Sequence, residues 1–330
     1  MDPFLPKGRV TGIGSLPHRD PEEAVAFVAQ FSPDIPFWPQ LPQRSPAEGM
    51  IAQMISPLLD LVDELGPVRF EIKSNKLGDF CGRLREVEAV LDEHGAAGFL
   101  VFERACWENR FQNAVALKGQ VSGPMTLGRC LFDDDSPLST QPDMYADLVD
   151  YVCRLASWQI SRLKQFGRPV ILFIDEPMLA LDSPAVYLTD GIKQLITAIH
   201  REGAYAGVHC CATFTPVSIC SMHPDIVSFD AHWDLQAFIS HPETRLFIES
   251  KGCLALGLVP TLDALELFSS SEAFVRWIIA ATEYVNVRAL AAQSMVTATC
   301  GLGLFSIEAA QASFLKAMEL ARLIGRVASC

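Results

Sequence analysis

The feature that most constrains the fold is an alternation of strand-like and helix-like segments along nearly the whole chain. Strand-like runs are followed by amphipathic stretches with a helical period, such as "DPEEAVAFVAQF", which opens with Asp and Pro. The runs cover residues 9–15, 35–41, 114–123, 169–175, 205–211, 226–232, 253–259 and 294–300. Eight strands that alternate with helices predict an α/β fold, a (β/α)8 TIM barrel that occupies residues 1–330 as a single domain.

One interval is too long for a single crossover between neighbouring strands. Residues 42–113 separate the second predicted strand from the third, whereas a complete strand–helix–strand unit needs only about 30 residues. We expect this interval to be a helical insertion that includes a hairpin around "VRFEIKS". Its position predicts that it covers part of the barrel mouth.

Charge and hydropathy argue against two classes of partner. The formal net charge is −13 and Lys and Arg form no cluster, so a nucleic-acid partner is not expected. No apolar run reaches the roughly 18–20 residues of a membrane span. The N-terminal "MDPFLPKGRV" also lacks the apolar centre of a signal peptide. The sequence therefore predicts a soluble, cytoplasmic protein with neither a nucleic-acid nor a membrane partner.

Ten cysteines require an explanation in a chain that is expected to fold in a reducing compartment. Most of them are expected to be small buried side chains. The stretch "GVHCCATF" differs, because it places His209, Cys210 and Cys211 side by side on a strand-like run. Successive side chains of a strand point to opposite faces, so His209 and Cys211 share one face and Cys210 takes the other.

Acidic and metal-binding residues gather at the predicted carboxyl ends of the strands, where barrel enzymes carry their active sites. These positions hold Ser15, Gln40, Gly123, Asp175 with Glu176, His209 with Cys211, Asp230, and Cys300. An inward orientation would let His209, Cys211 and Cys300 converge, with Asp230 at the end of a neighbouring strand. One imidazole, two thiolates and an optional carboxylate suit Zn²⁺ in a catalytic site with an exchangeable position.

Simpler interpretations exist for each of these residues. The histidine could be a core residue bonded to a carbonyl, and the two cysteines could fill space in the core. Asp230 could be an ordinary rim carboxylate, and Asp175 with Glu176 could cap the next helix. The residue types alone leave both interpretations open.

Six short motifs resemble one known family in their order and approximate spacing. They are "TGIGSLPH" near the start, "SGPMTL" at 122–127, "FIDEPML" at 173–179, "VHCCATF" at 208–214, "PDIVSFD" at 224–230 and "TATCGLG" at 297–303. The pattern resembles the C-terminal catalytic barrel of cobalamin-independent methionine synthase. That family belongs to a superfamily with uroporphyrinogen decarboxylase and the corrinoid:coenzyme M methyltransferases. The resemblance spans nearly the whole chain.

The resemblance implies a Zn²⁺ cofactor. The family binds zinc through a His-x-Cys pair, an acid that closes the following strand, and the cysteine of Cys-Gly-Leu. These positions correspond to His209, Cys211, Asp230 and Cys300. Asp230 stands where the methionine synthases have Glu, and its shorter side chain is expected to bind the metal transiently or not at all.

The resemblance also implies an amino-acid substrate. The turn of Ile13, Gly14 and Ser15 matches the segment that holds the amino-acid carboxylate in that family. Asp175 matches the acid that takes the substrate amino group. Gln40 lies near the position where a substrate-binding Glu is expected.

The chain also departs from the family pattern. The N-terminal half that helps to bind polyglutamyl folate is absent, and "WPQLPQRS", with Gln40 and Gln43, replaces a His-Gly-Glu signature. The catalytic histidine after the seventh strand has no equivalent in "GLVPTLD", and a Pro-Asp pair has become Ala298-Thr299. The zinc ligands therefore match, whereas the groups that bind folate and handle protons do not.

Together these features predict a zinc-dependent methyltransferase that acts on a small-molecule thiol, with homocysteine as the favoured acceptor. Because the folate-binding half is missing, the expected methyl donor is a methylated corrinoid protein. Two alternatives stay open. One is a tetrapyrrole decarboxylase like uroporphyrinogen decarboxylase, which would need basic residues to hold several carboxylates. The other is a non-catalytic member that binds zinc, a corrinoid or a partner.

Overall fold

The computed structural model describes residues 3–181, 185–212, 214–261 and 265–329. Its strands, in chain order, are β1 (Val62–Gly66), β2 (Arg69–Ile72), β3 (Leu117–Ser122), β4 (Leu131–Asp133), β5 (Ser136–Pro137), β6 (Val170–Asp175), β7 (Tyr205–Cys210), β8 (Ile226–Phe229), β9 (Cys253–Val259) and β10 (Ser294–Ala298). Six of them form one curled, wholly parallel sheet in the order β3-β6-β7-β8-β9-β10. The predicted α/β class is confirmed.

Helices connect these strands as the amphipathic stretches predict. They are α1 (Pro21–Phe31), α2 (Leu77–Glu86), α3 (Glu93–Trp107), α4 (Pro124–Cys130), α5 (Pro142–Lys164), α6 (Val186–Arg201), α7 (Pro216–Cys220), α8 (Leu235–Ser240), α9 (Pro242–Glu249), α10 (Ser270–Tyr284), α11 (Val287–Ala292) and α12 (Ile307–Ser329). The side chain of Asp20 caps α1 by accepting the backbone N–H of Glu22 at 2.7 Å, and Pro21 follows it. Within the described ranges, no helix combines the length and the apolar character that a membrane crossing requires.

The strands of the six-stranded sheet are buried on both faces, as parallel strands usually are. On one face, Ile171, Phe173 and Ile226 belong to a small apolar cluster. On the other face, Leu172 and Ile174 pack with the helices in the main core. The first face encloses the interior of the curled sheet, so polar side chains on that face point toward a shared enclosed space.

The first two predicted strands, 9–15 and 35–41, form isolated parallel bridges instead of regular strands. The bridged pairs are Val10 with Val296, Ser15 with Gln40, and Phe37 with Lys118. Pro36 and Pro39 lack a backbone N–H, which interrupts any hydrogen-bonded ladder through the second segment. The bridges nevertheless place the two segments between β10 and β3, the two edges of the sheet.

The long interval between the second and third predicted strands contains both helices and the expected hairpin. Strands β1 and β2 pair antiparallel, with Val62 opposite Ile72. The hairpin does not stand alone, because β2 pairs with β4 and β4 with β5 to form a second, four-stranded sheet. The sequence pattern does not predict β4 and β5, since segments of three and two residues carry almost no periodic signal.

Part of the same interval lies against the carboxyl end of the parallel sheet. The hydroxyl of Ser122, the last residue of β3, donates to the carbonyl of Met50 at 2.8 Å. The amide of Gln40 donates to Gln53 Oε1 at 2.8 Å, and Gln53 donates to the carbonyl of Gly95 at 2.5 Å. Residues 48–53 and the start of α3 therefore pack beside the edge on which the candidate site lies. The single-domain boundary at 1–330 stays a prediction.

Candidate metal centre

Strand β7 delivers the first two candidate ligands to the carboxyl edge of the sheet. His209 lies opposite Asp175 of β6 and Ser228 of β8 on the inner face. Cys210 points the other way, is fully buried and belongs to the main core between sheet and helices. Cys211 follows the end of β7 and is half-buried. The alternation expected for "HCC" is thus present in the fold.

The loop after β10 brings Cys300 to the same place. The candidate ligand atoms of His209, Cys211 and Cys300 all lie within 4.8 Å of one another. His209 Nδ1 is 2.9 Å from the hydroxyl oxygen of Ser228, while its Nε2 is buried with no hydrogen-bond partner among the described residues. A buried nitrogen without a partner, next to two sulfur atoms, is what a metal ligand needs. The three side chains therefore fit Zn²⁺.

The two thiols interact directly. A hydrogen bond from Cys211 lowers the pKa of Cys300 to about 4, while burial opposes the shift and His209 adds to it. The same hydrogen bond, together with burial, raises the pKa of Cys211. The pair therefore holds one thiolate readily and resists a second negative charge. A divalent cation between the sulfur atoms would remove that resistance, because it stabilises both thiolates.

Asp175 ends β6 beside this group. It is 6% exposed, and its Oδ1 accepts no hydrogen bond from the described part of the chain. Burial raises the pKa of Asp175 to about 6, against the opposing effects of His209 and Lys118, while Cys300 adds to the rise. A buried carboxylate with a free oxygen is costly unless a partner arrives. The structure thus leaves an acceptor next to the candidate metal ligands, and its role in binding an ammonium group stays a prediction.

Asp230 lies outside the group of three. It follows β8, is partly buried, and its Oδ1 accepts the backbone N–H groups of His232 at 3.0 Å and Trp233 at 3.2 Å. Burial raises the pKa of Asp230, and these two hydrogen bonds lower it. The carboxylate stabilises the turn after β8, and its role as a metal ligand stays a prediction.

The turn Ile13–Ser15 packs against the loop that carries Cys300. Ser15 accepts the N–H of Leu302 on its carbonyl at 3.0 Å and the N–H of Gly303 on its hydroxyl at 3.2 Å. A Cβ at Gly301 would lie 2.3 Å from Ser15 Oγ, so a side chain there would force that hydroxyl to rotate. The predicted carboxylate-binding turn therefore adjoins the metal centre.

The two glutamines after the second segment have different surroundings. Gln40 is buried, and its amide nitrogen is engaged by Gln53. Gln43 donates to the carbonyls of Gly303 and Phe305, both at 2.9 Å. Gln43 thus supports the loop after Cys300, whereas Gln40 lies beside Gly14 with its Oε1 directed at that residue.

Glu176 has a structural role that differs from the simple interpretation. Its carboxylate accepts the N–H of Met125 at 3.0 Å, and the N–H and hydroxyl of Thr126 at 2.8 and 2.6 Å. It therefore caps α4, which precedes β6, and not the helix that follows. The simple interpretation, that Glu176 caps the next helix, therefore does not hold, because hydrogen bonds across neighbouring strands leave no local signal in the sequence.

The sequence pattern did not single out Ser228 and Lys118. Ser228 is fully buried and fixes the orientation of the His209 ring. Lys118 is buried on the inner face of β3. A signal for Lys118 did exist, because a lysine directly follows the apolar residues "AVAL" inside a strand-like run. Lysine is almost never fully buried without a role or a partner.

No protein-family profile matches this chain, and no curated protein sequence matches it. Solved structures do. A B12-independent methionine synthase from a Shewanella species, in complex with selenomethionine, is 16% identical with a TM-score of 0.50. That match covers 68% of this chain and 67% of the other. A Listeria monocytogenes protein named for a proposed vitamin-B12-independent methionine synthase activity is 14% identical with a TM-score of 0.55, covering 93% and 85%.

At these identities the likeness concerns the fold. The structural neighbours bear the name of the family that the sequence motifs resemble, so that resemblance is confirmed at the level of the fold. Fold alone does not determine chemistry, which depends on the residues of the site.

Proposed function

We propose that this chain is a zinc-dependent methyltransferase that transfers a methyl group to a thiol, with homocysteine as the favoured acceptor. The observation that carries the proposal is the convergence of His209, Cys211 and Cys300 within 4.8 Å, with one buried imidazole nitrogen left unpartnered. A structural zinc site would close with four protein ligands, whereas three leave a position for a substrate.

The proposal includes a complete (β/α)8 barrel. The bridged segments 9–15 and 35–41 lie between β10 and β3 and would supply the first two strands. Hydrogen bonds from Thr11 N to Val296 O at 3.1 Å and from Lys118 N to Pro36 O at 2.8 Å support this closure. All the candidate ligands would then share the carboxyl-terminal rim, where barrel enzymes carry out their chemistry.

The chemistry assigned to zinc is the activation of the acceptor. A free thiol with a pKa near ~8.5 is mostly protonated at neutral pH, and Zn²⁺ held by His209, Cys211 and Cys300 would favour its nucleophilic thiolate form. We propose Asp230 as a weak metal ligand that the substrate thiol displaces readily. Its carboxylate already accepts hydrogen bonds from two backbone N–H groups.

The chain itself would orient the acceptor. Asp175 offers an unpartnered carboxylate oxygen to the ammonium group of homocysteine. The turn Ile13–Ser15, beside Gln40, would receive the carboxylate. With the ammonium and carboxylate groups of homocysteine both held, its sulfur would attack a methyl carbon in line. The sulfur–carbon bond forms while the bond from methyl to its donor breaks, and that electron pair leaves with the donor.

We propose a methylated corrinoid protein as the donor. The structural neighbours are named as B12-independent enzymes, so a methylated folate is the main alternative methyl donor. Both donors are therefore compared in the same assay. A tetrapyrrole decarboxylase is less well supported, because that activity would assign no function to the three candidate metal ligands. A non-catalytic zinc or corrinoid carrier would keep the metal and transfer no methyl group.

The test is metal content together with thiol-dependent demethylation of methylcobalamin, with methyltetrahydrofolate run in parallel. We expect about one zinc per chain and methyl transfer to homocysteine that is lost in Cys300→Ala. Cys210→Ala is the matched control, since Cys210 packs outward and should leave both metal and activity in place. Zinc binding without transfer from either donor would favour the non-catalytic carrier.

A further inference from the structure

A buried lysine lies on the inner face of the sheet, below the site described above. Lys118 is 1% exposed. Its ammonium group donates to the carbonyl of Ile13 at 2.6 Å and to Gln120 Oε1 at 3.2 Å. The rings of Phe173 and Phe37 lie 4.7 and 5.9 Å away. A cation is thus removed from water and held by one backbone carbonyl, one amide and two aromatic faces.

Such a residue is costly. Burying a charge carries a penalty that only good hydrogen bonds and neighbouring charges offset. A methionine would fill nearly the same volume without that penalty. Burial lowers the pKa of Lys118 to about 8, and Asp175 acts in the opposite direction. The ammonium form therefore predominates at neutral pH, and its strongest contact is with a single carbonyl.

That carbonyl belongs to a turn held on two sides. At one end, Lys118 binds the carbonyl of Ile13. At the other end, Ser15 is bound by the N–H groups of Leu302 and Gly303, in the loop after Cys300. The middle of the turn is bound by Gln40, whose N–H donates to the carbonyl of Gly14 at 3.1 Å. The contacts of Ser15 join the turn to the loop after Cys300, whereas the contact of Ile13 joins it to β3.

We propose that Lys118 is a positioning residue for the acceptor: its buried ammonium group holds the Ile13 carbonyl and so sets the turn Ile13–Ser15 to receive the carboxylate of an amino-acid thiol. The inference rests on the proposed function and deepens it. Because Lys118 contacts Ile13 and is not among the candidate ligands, Lys118 governs recognition of the carboxylate and not retention of the metal.

The test compares two thiols in full-length protein loaded with Co²⁺, whose absorption bands report each new sulfur ligand. L-homocysteine carries a carboxylate, whereas 3-mercaptopropylamine keeps the amino group and lacks the carboxylate. In Lys118→Met we expect homocysteine affinity to fall at least about tenfold, because a hydrogen bond from a charged group is lost. The 3-mercaptopropylamine affinity and the zinc content should not change. Lys118→Arg, which keeps a cation and donors, should recover most of the affinity.

Lys73→Met is the matched control, since Lys73 is an exposed lysine that donates to the carbonyl of Asp60. If Lys118→Met does not fold, Lys118→Gln takes its place, because its shorter amide cannot reach Ile13. An equal loss for both thiols, a loss of zinc, or no loss at all would overturn the proposal. So would a Lys118→Arg protein that binds homocysteine no better than Lys118→Met. If neither thiol altered the cobalt bands in the unmodified protein, the proposed function itself would fail. That outcome is distinguishable from a failure of the Lys118 proposal, which requires thiol binding in the unmodified protein.

Discussion

At the scale of single residues, the direction of each side chain comes from its neighbours. The His209 ring is oriented by Ser228, so that Nε2 faces the two thiols. Cys210 and Cys211 are adjacent in the sequence, yet one is a core residue and the other a candidate ligand. The strand pattern could predict this division, whereas the partner of His209 lies on another strand and could not be predicted.

The division between the cysteines leads to a direct prediction. Cys211→Ala and Cys300→Ala should reduce bound zinc from about one per chain to nearly zero, because two protein ligands hold the ion poorly. Cys210→Ala should keep the metal and lose only some stability from a small core cavity. Elemental analysis after dialysis against a weak chelator measures the zinc. Equal loss from all three replacements would contradict the strand register.

Asp175 is predicted to act on the substrate and not on the metal. Asp175→Ala should keep the zinc, because the ligand atoms come from other residues. It should lower homocysteine affinity by roughly 10- to 100-fold, since a buried charged hydrogen bond to the ammonium is lost. Calorimetric titration with homocysteine measures this. A thiol without an amino group serves as the control, and its affinity should not change.

At the scale of elements, the strand ends and the loops after them build the site. The six strands of the parallel sheet agree with the sequence pattern to within a few residues, because their runs of apolar residues are bounded by Gly, Pro or acidic residues. The segments 9–15 and 35–41 form only isolated bridges and lack a regular ladder. Hydrogen bonds between distant elements, such as the capping of α4 by Glu176, could not be predicted, because they depend on the assembled sheet.

Glu176 is expected to make stability depend on pH. Burial raises the pKa of Glu176 to about 7, against an ordinary value of 4.5. Between pH 4.5 and about pH 7 the folded chain binds more protons than the unfolded chain. The free energy of unfolding should therefore decrease as the pH rises through this range. The contribution is up to about 3 kcal/mol. Urea unfolding of metal-free protein at pH 5 and pH 7.5 measures it.

Glu176→Gln supplies the control for that measurement. The substitution removes the titration, so the decrease from pH 5 to pH 7.5 should become smaller. An unchanged pH dependence in Glu176→Gln would show that other groups cause the effect.

The loop after Cys300 is expected to be sensitive to a side chain at Gly301. In Gly301→Ala the added methyl group would lie 2.3 Å from Ser15 Oγ and force that hydroxyl away from the N–H of Gly303, which loosens the loop. We expect zinc affinity to fall by about tenfold or more, as competition with a chromophoric chelator would measure. Gly82→Ala is the control, since open space surrounds Gly82 in α2 and alanine favours a helix. Equal zinc affinity in both variants would mean that the loop adapts.

At the scale of the whole molecule, the parallel sheet gathers onto one edge residues that are far apart in the sequence. Asp175, His209 and Cys300 span more than a third of the chain, and the order of strands unites them. The motifs and their spacing were sufficient to predict this convergence. The second sheet and the buried Lys118 were not predicted, because both depend on contacts across the long interval or inside the curled sheet.

The central claim is that a substrate thiol becomes a metal ligand at His209, Cys211 and Cys300. Zinc-edge X-ray absorption with and without homocysteine tests it most directly. We expect an added sulfur neighbour at about 2.3 Å, both in the unmodified protein and in Asp230→Ala, which should keep most of its metal. A coordination shell that stays unchanged at saturating homocysteine, and with other small thiols, would contradict the account.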